Sequence, residues 1–202
     1  MTKIVTGEFR VAHLRPRPEL MDQFMPLWDA RNEAIMKGDT DAEVRLTAEM
    51  EPLQFEASSP ESFSNLVTNV GKDDMLNVYL RSTSYTQTIR MGLKGVGTVL
   101  AANTQASHAG WTERGGSVAP AYTGDRKTVS MGAAASQVST SPTQAFAITS
   151  GGAVDGCFIN NGGSATKDDT SGILFSAGDF TGGPKTVANL DTLNVVYTLT
   201  AT

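Results

Sequence analysis

The clearest pattern of apolar and polar positions lies near the C-terminus, at residues 192–200. Leu193, Val195, Tyr197 and Leu199 alternate there with a second, mostly polar set of side chains. Alternation of this length is typical of a β-strand with one face in a core and the other in water. The segment therefore predicts a strand that completes a β-sandwich.

Short segments rich in strand-forming residues, separated by Gly, Pro and Asn, fill the chain from about residue 88 onward. Many short strands punctuated by turn residues indicate an antiparallel β-sandwich or jelly roll. The predicted strands are 88–93, 97–101, 109–113, 127–131, 144–149, 154–159, 172–177 and 192–200.

The first part of the chain has a helical pattern instead. Residues 16–55 carry apolar side chains at near-helical spacing, although Pro26 interrupts the pattern. Gly38 predicts a helix stop, and Thr40 with a glutamate three residues later fits a capping box. The remaining predicted helices are 41–51, 59–70 and 72–80.

The amino-acid composition changes near Gly92, where the predicted helices give way to predicted strands. Of the 20 glycines, 17 lie from Gly92 onward, whereas 24 of the 37 charged residues precede it. The sequence thus predicts a mainly β protein, with an N-terminal helical attachment segment over residues 1–70 and an antiparallel β-sandwich domain over residues 71–202.

The net charge and the hydropathy of the chain argue against several classes of function. The formal net charge of -5 argues against a protein that binds the phosphate backbone of nucleic acids. No run of 18 apolar residues predicts a membrane span, and the start has no apolar signal-peptide core. Cys157 is the single cysteine, so the fold is expected to do without a disulfide, which fits assembly in a reducing cytoplasm.

Candidate chemical sites are weak. The glycines of 92–97 lack the Gly-Lys-Ser/Thr of a phosphate-binding loop and favour a strand and turn. Residues 167–170 with Asp179 do not show the alternating acids of a calcium loop, and His13, His108 and Cys157 lack zinc-site spacing. No nucleophile elbow is present, and Cys157 in its apolar run is expected to be a buried thiol. We therefore predict no enzyme activity, no cofactor and no metal.

The C-terminal part contains six characteristic segments, which are 74–81, 91–95, 111–116, 127–134, 173–178 and 185–193. Together they resemble a β-sandwich domain that is common in structural proteins of tailed bacteriophages. The resemblance covers about residues 71–202, and the segment 185–193, with its Asp-Thr-Leu, is the most specific part. The family usually has Gly before this Asp-Thr-Leu, where this chain has Leu190.

The resemblance implies a structural protein of the virion, assembled in the cytoplasm of the bacterial host. We expect a capsid decoration or cement protein, whose partners are the major capsid protein and further copies of itself. A trimer is one expected form, because decoration proteins often sit on three-fold axes of capsids. The candidate interface residues are Arg15, Arg17, Leu20, Phe24, Leu27, Trp28 and Trp111, and Arg10 belongs to the same basic cluster.

Two alternatives remain open from the sequence. A tail or neck component, such as an adaptor or a receptor-binding protein, would have the same fold but a different place in the virion. A glycan-binding module would need a concave site with exposed aromatic rings near Trp111 or Tyr122. If residues 1–70 are a separate arm, deletion of residues 1–55 is expected to leave a folded sandwich that no longer binds particles.

Overall fold

The computed structural model describes residues 5–57, 60–81 and 88–201. As predicted, the protein is mainly β, with 38% strand and 24% helix in a large curled antiparallel sheet and three helices. The helices are α1 (Met21–Lys37), preceded by a 3-10 turn at Pro18–Leu20, α2 (Thr40–Gln54) and α3 (Asn69–Arg81). The strands are β1 (Val5–Pro16), β2 (Phe55–Ala57), β3 (Glu61–Val67), β4 (Ile89–Lys94), β5 (Glu113–Arg114), β6 (Lys127–Val129), β7 (Val138–Thr140), β8 (Gln144–Ala147), β9 (Gly152–Val154), β10 (Gly156–Asn161), β11 (Ile173–Asp179), β12 (Lys185–Val187) and β13 (Thr192–Ala201).

The chain divides into two compact units. The β unit comprises Met1–Ala12 and Pro60–Thr202, and the helical unit comprises His13–Ser59. These bounds differ from the predicted boundary at residue 70, because the first residues of β1 and all of β3 are strands of the β unit. The helical unit is therefore an insertion between two strands.

The large sheet runs in the order β5-β4-β10-β11-β3-β1-β13-β7. Strand β6 pairs with β4, β8 with β13 and β2 with β1, while β12 and β9 form a separate pair. Every described pairing in the sheet is antiparallel. Strands β1 and β3 lie in the middle of this order and join its two halves.

The main core lies against one face of the curled sheet and is rich in aromatic rings. Phe9 of β1 stacks on Phe63 of β3, with ring centroids 5.2 Å apart, and packs on Tyr197 of β13 at 4.8 Å. Phe63 also meets the edge of Phe180 at 5.0 Å. Aromatic pairs at these distances contribute beyond their buried area, so this cluster fastens the central strands to one another.

The predicted helix over 59–70 is wrong for residues 61–67, which form β3. Phe63 and Val67 are buried, Asn65 between them is half-buried, and Ser62 and Ser64 are exposed. That alternation has a period of two, and the apparent helical stripe depended on Leu66, which is exposed in the structure. The helix predicted over 72–80 is confirmed as α3.

The expectation that residues 1–55 are dispensable is also corrected. Residues 7–11 of β1 pair with residues 61–65 of β3, and the side chains of Phe9 and Val11 are buried in the main core. Deletion of residues 1–55 would remove a central strand and leave the edges of β3 and β13 unpaired.

Most of the other predicted strands are confirmed, with small shifts of their ends. The alternation of β13 is confirmed too, with Leu193, Val195 and Tyr197 all buried. Two strand predictions are wrong. Residues 97–101, all described, belong to a loop, and of 109–113 only Glu113 lies in a strand. The long strand β1 was not predicted, nor were strands β2, β7, β9 and β12, of three residues each.

In the helical unit, α1 and α2 form a hairpin and pack against each other. Helix α1 stops at Gly38, as predicted, but it continues through Pro26, which was expected to interrupt it. Gly38 adopts φ 69°, and the next amide, of Asp39, donates to the carbonyl of Ala34 at 3.0 Å, a glycine-based helix end. Arg31 of α1 donates to the Thr47 hydroxyl of α2 at 2.8 Å and so links the two helices.

The start and end of α2 differ from prediction. Asp39, rather than Thr40, caps the helix, because its carboxylate accepts the amide hydrogen of Ala42 at 3.0 Å. The helix also continues through Pro52 to Gln54 instead of ending before the proline.

Because Pro16 and Phe55 are register partners, a two-residue loop suffices to join β1 to β2. We predict that replacing residues 17–54 with Asn-Gly leaves a folded β unit that still unfolds cooperatively on heating, as measured by circular dichroism. Deletion of residues 1–55 is expected to abolish the cooperative transition. A cooperative transition in the deletion variant, or none in the Asn-Gly variant, contradicts this account of the insertion.

Candidate functional site

A second, smaller core lies against the opposite face of the sheet from the main core. Trp111, Phe158, Leu174 and Ala177 form this cluster. Trp111 lies near the end of the loop between β4 and β5, and its indole N–H donates to the Asn103 side chain at 3.2 Å. The sheet is thus covered on both faces here, which explains why even polar residues of β4 and β10 are buried.

An ion pair is buried beside this cluster. Arg126 donates to both carboxylate oxygens of Glu113, at 2.6 and 2.9 Å. Arg126 also donates to the carbonyl of Asp169 at 2.7 Å, and Glu113 accepts the amide hydrogen of Asp168 at 2.9 Å. A bidentate Arg–carboxylate pair keeps a fixed geometry when it is buried and its other donors and acceptors are hydrogen-bonded. Glu113 is therefore committed to structure and is poorly placed to act as a base.

An open cleft of about 430 Å³ lies over this ion pair. His108 lines it and stacks on Trp111, with ring centroids 4.0 Å apart. Asp168 accepts the amide hydrogen of Ser117 at 2.6 Å. Hydrogen bonds from the side chain and backbone of Ser171 lower the pKa of Asp169. Hydroxyl and carboxylate side chains, among them those of Ser107, Thr112 and Asp168, line the polar part of the cleft, and apolar side chains line the rest.

A second, apolar hollow of about 260 Å³ lies between α3 and the sheet. Met75 and Val78 of α3, with Met131 and Leu199, supply its apolar walls. Asn161 lies at its edge and donates to Asp74 at 3.3 Å. This arrangement is a gap in packing beneath a helix and brings together no reactive groups among the described residues.

The structure places most of the predicted interface residues in the helical unit and its adjoining strand. Arg15 is exposed on β1, and Arg17 interacts with Glu19 at 3.5 Å. Leu20 and Leu27 are half-buried, Phe24 is buried, and Trp28 is exposed. Sequence reasoning missed four exposed apolar residues of the same helix, which are Met21, Met25, Ile35 and Met36. Their spacing from Trp28 was the available signal.

The prediction of Trp111 as an interface residue is corrected. Its side chain is only 3% exposed, with His108 stacked on it and Phe158 packed beside it at 5.5 Å between ring centroids. Tyr122, the other aromatic residue considered for ligand stacking, is also 3% exposed. Both rings serve the core of the β unit.

The other candidate groups are dispersed. Asp179 contacts Lys94 and does not join residues 167–170, whose acids take part in the hydrogen bonds described above. Burial raises the pKa of the Cys157 thiol well above its usual range. Among residues 5–57, 60–81 and 88–201, no group of three or more His, Cys, Asp or Glu side chains is arranged to hold a metal ion.

Among the helices that the structure describes, none is long and apolar enough to cross a membrane. Comparison with protein-family models, curated proteins and solved structures finds no match to this chain.

We predict that Trp111→Ala destabilises the β unit by about 3–5 kcal/mol, the usual cost of truncating a buried Trp or Phe. His108→Ala, which removes the half-buried ring stacked on Trp111, is the matched control and is expected to cost less than half as much. Urea unfolding measures both. A Trp111→Ala variant within about 1 kcal/mol of the parent would show that the indole is peripheral to the core.

Proposed function

We propose that this chain is a non-enzymatic structural protein of a tailed-phage virion, which decorates or cements the capsid through its helical unit. The observation that carries the proposal is an exposed apolar stripe on α1. The resemblance of residues 71–202 to virion β-sandwich domains supports the same assignment.

The stripe consists of Met21, Met25, Trp28, Ile35 and Met36, which are 39–86% exposed. At 3.6 residues per turn these side chains fall within an arc of about 100° on one side of α1. Phe24 and Ala34, which are buried, lie outside that arc. Helix α1 therefore has a second apolar side that remains exposed.

Exposed apolar side chains grouped on one side of a helix often mark a contact surface. Exposed Asn32 lies within this arc and separates Met21, Met25 and Trp28 from Ile35 and Met36. Here the stripe is carried by an insertion that joins β1 to β2. Such an insertion is free to serve attachment, because the sheet is completed by β1 and β3 themselves. The major capsid protein is the proposed partner, and self-association of the β unit completes the proposed assembly.

The geometry gives less support to the alternatives. A glycan-binding module would need an exposed ring on which a sugar stacks, whereas Trp111 and Tyr122 are buried. An enzyme would need a free acid, base or nucleophile, whereas Glu113 is held by Arg126 and Cys157 is buried. A tail or neck position uses the same fold and the same stripe, so only its place in the particle separates it from decoration.

We predict that the double variant Met25→Ser/Trp28→Ser folds but binds purified particles lacking this protein at least about tenfold more weakly. Burying a large apolar side chain contributes about 1.5–3 kcal/mol, and about 1.4 kcal/mol corresponds to tenfold in affinity. Co-sedimentation with the particles measures the binding.

The matched control is Tyr79→Ser, which removes an 86% exposed ring from α3 outside the helical unit. It is expected to bind like the parent. Parental binding by the double variant contradicts attachment through the stripe, and equal loss in the control would show that the effect is not specific to α1.

A further inference from the structure

Three adjacent strands of the β unit align a lysine, a glycine and an aspartate. Gly156 of β10 is the register partner of Lys94 on β4 and also of Asp179 on β11. Register partners on neighbouring strands project their side chains from the same face of a sheet. Lys94 and Asp179 therefore meet over Gly156, which has no side chain to separate them.

The lysine is held firmly at this meeting point. Its side chain is 0% exposed, and its Nζ donates to the carbonyls of Gly95 and Gly97 at 2.9 and 2.7 Å. Nζ also contacts Oδ1 of Asp179. An ammonium group has three N–H bonds. Two of them are donated to backbone carbonyls, and the Asp179 carboxylate lies against the same Nζ in an ion-pair contact.

A second carboxylate stands beside this pair. Oδ2 of Asp155, a buried residue, lies 3.7 Å from Nζ of Lys94. The ring centroid of Trp111 lies 5.8 Å from Nζ and supplies an apolar wall. A lysine ammonium and the two carboxylates of Asp179 and Asp155 are thus assembled in one partly dry site.

We propose that Lys94 and Asp179 condense to an intramolecular amide, joining Nζ to Cγ. The ammonium first passes its third proton to the Asp179 carboxylate, which leaves a neutral amine and a neutral acid. The freed lone pair attacks Cγ and forms the N–C bond, and the C=O electron pair moves onto the oxygen. One of the two remaining N–H bonds then turns from its carbonyl to Asp155, whose Oδ2 lies 3.7 Å from Nζ. Asp155 takes that proton and delivers it to the departing hydroxyl, so the C=O bond re-forms, the C–O bond breaks and one water molecule leaves. No oxidant or further reactant is needed.

The contacts favour this step in three ways. The carbonyls of Gly95 and Gly97 accept two N–H bonds of Nζ, so the proton passed to Asp179 is the one that neither carbonyl accepts. Fixing both reactants in one site replaces a bimolecular condensation by an intramolecular one, with effective concentrations of about 10⁵ M or more in well-oriented cases. The Asp179 side chain is 43% exposed, which gives the released water a way out.

The bond would tie β4 to β11 across β10. It would close the chain segment between residues 94 and 179 covalently, a constraint comparable to that of a disulfide in a protein whose one cysteine forms none. Such a tie suits a protein that must hold its fold without a cellular environment, but it does not depend on the proposed place in the virion.

The test is the intact mass of the purified full chain, followed by tryptic mapping. The parent is expected to be lighter than its sequence mass by one water molecule. Trypsin is expected not to cut after Lys94, so peptide 91–114 stays joined to peptide 168–185. Lys94→Arg is expected to have the full mass, and Asp155→Asn, which keeps the shape of the side chain, to form the bond more slowly. Lys185→Arg, at a partly exposed ion pair with Glu61, is the control and keeps the loss of water.

Two results would overturn the proposal. One is a parent chain that is folded and has its full sequence mass. The other is a loss of water with normal cleavage after Lys94, which would indicate a cyclic imide at Asp179 instead of a bond to the lysine. Both results are read from the parent chain, so the test stands even if a variant fails to fold.

Discussion

The pairing of β1 with β3 is the constraint on which the rest of the structure depends. In the sheet order, these two strands lie between β11 on one side and β13 on the other. Without them, the strands that carry the Trp111 cluster and the strand that ends the chain would belong to separate sheets. Phe9, buried between Phe63 and Tyr197, provides the packing that makes the junction stable.

In the proposed function, this arrangement separates folding from attachment. The N-terminal strand completes the sheet, and only the residues between Pro16 and Phe55 extend from the strand pair as a helical hairpin. The exposed stripe of α1 thus belongs to a part of the chain that the sheet does not need. Attachment surfaces carried in this way are able to change without disturbing the core that presents them.

The sequence predicted those helices and strands that a pattern of a few neighbouring residues determines. The alternation of β13 and the glycine stop of α1 are of this kind, and both are confirmed. Strand β3 was misread because Leu66 imitates a helical stripe, although Ser62 and Ser64 carry the true period of two. Strand β1 shows the same period in its buried Phe9 and Val11, and that signal was overlooked.

The charged contacts depend on the tertiary fold and left no local signal. Lys94 and Asp179 are brought together only by the register of three strands, and Glu113 meets Arg126 across a loop. Leu190 is a position whose backbone conformation is unusual for its residue type. Its φ of 75° is one that glycine adopts freely and leucine rarely does.

The most direct test of the structural assignment is the number of copies of this protein in each purified virion, counted by quantitative mass spectrometry against the major capsid protein. The account predicts hundreds of copies, as expected for a protein that covers the shell. A dozen copies or fewer would place it in the tail or neck and contradict the decoration role, and its absence from the virion would contradict the structural assignment altogether.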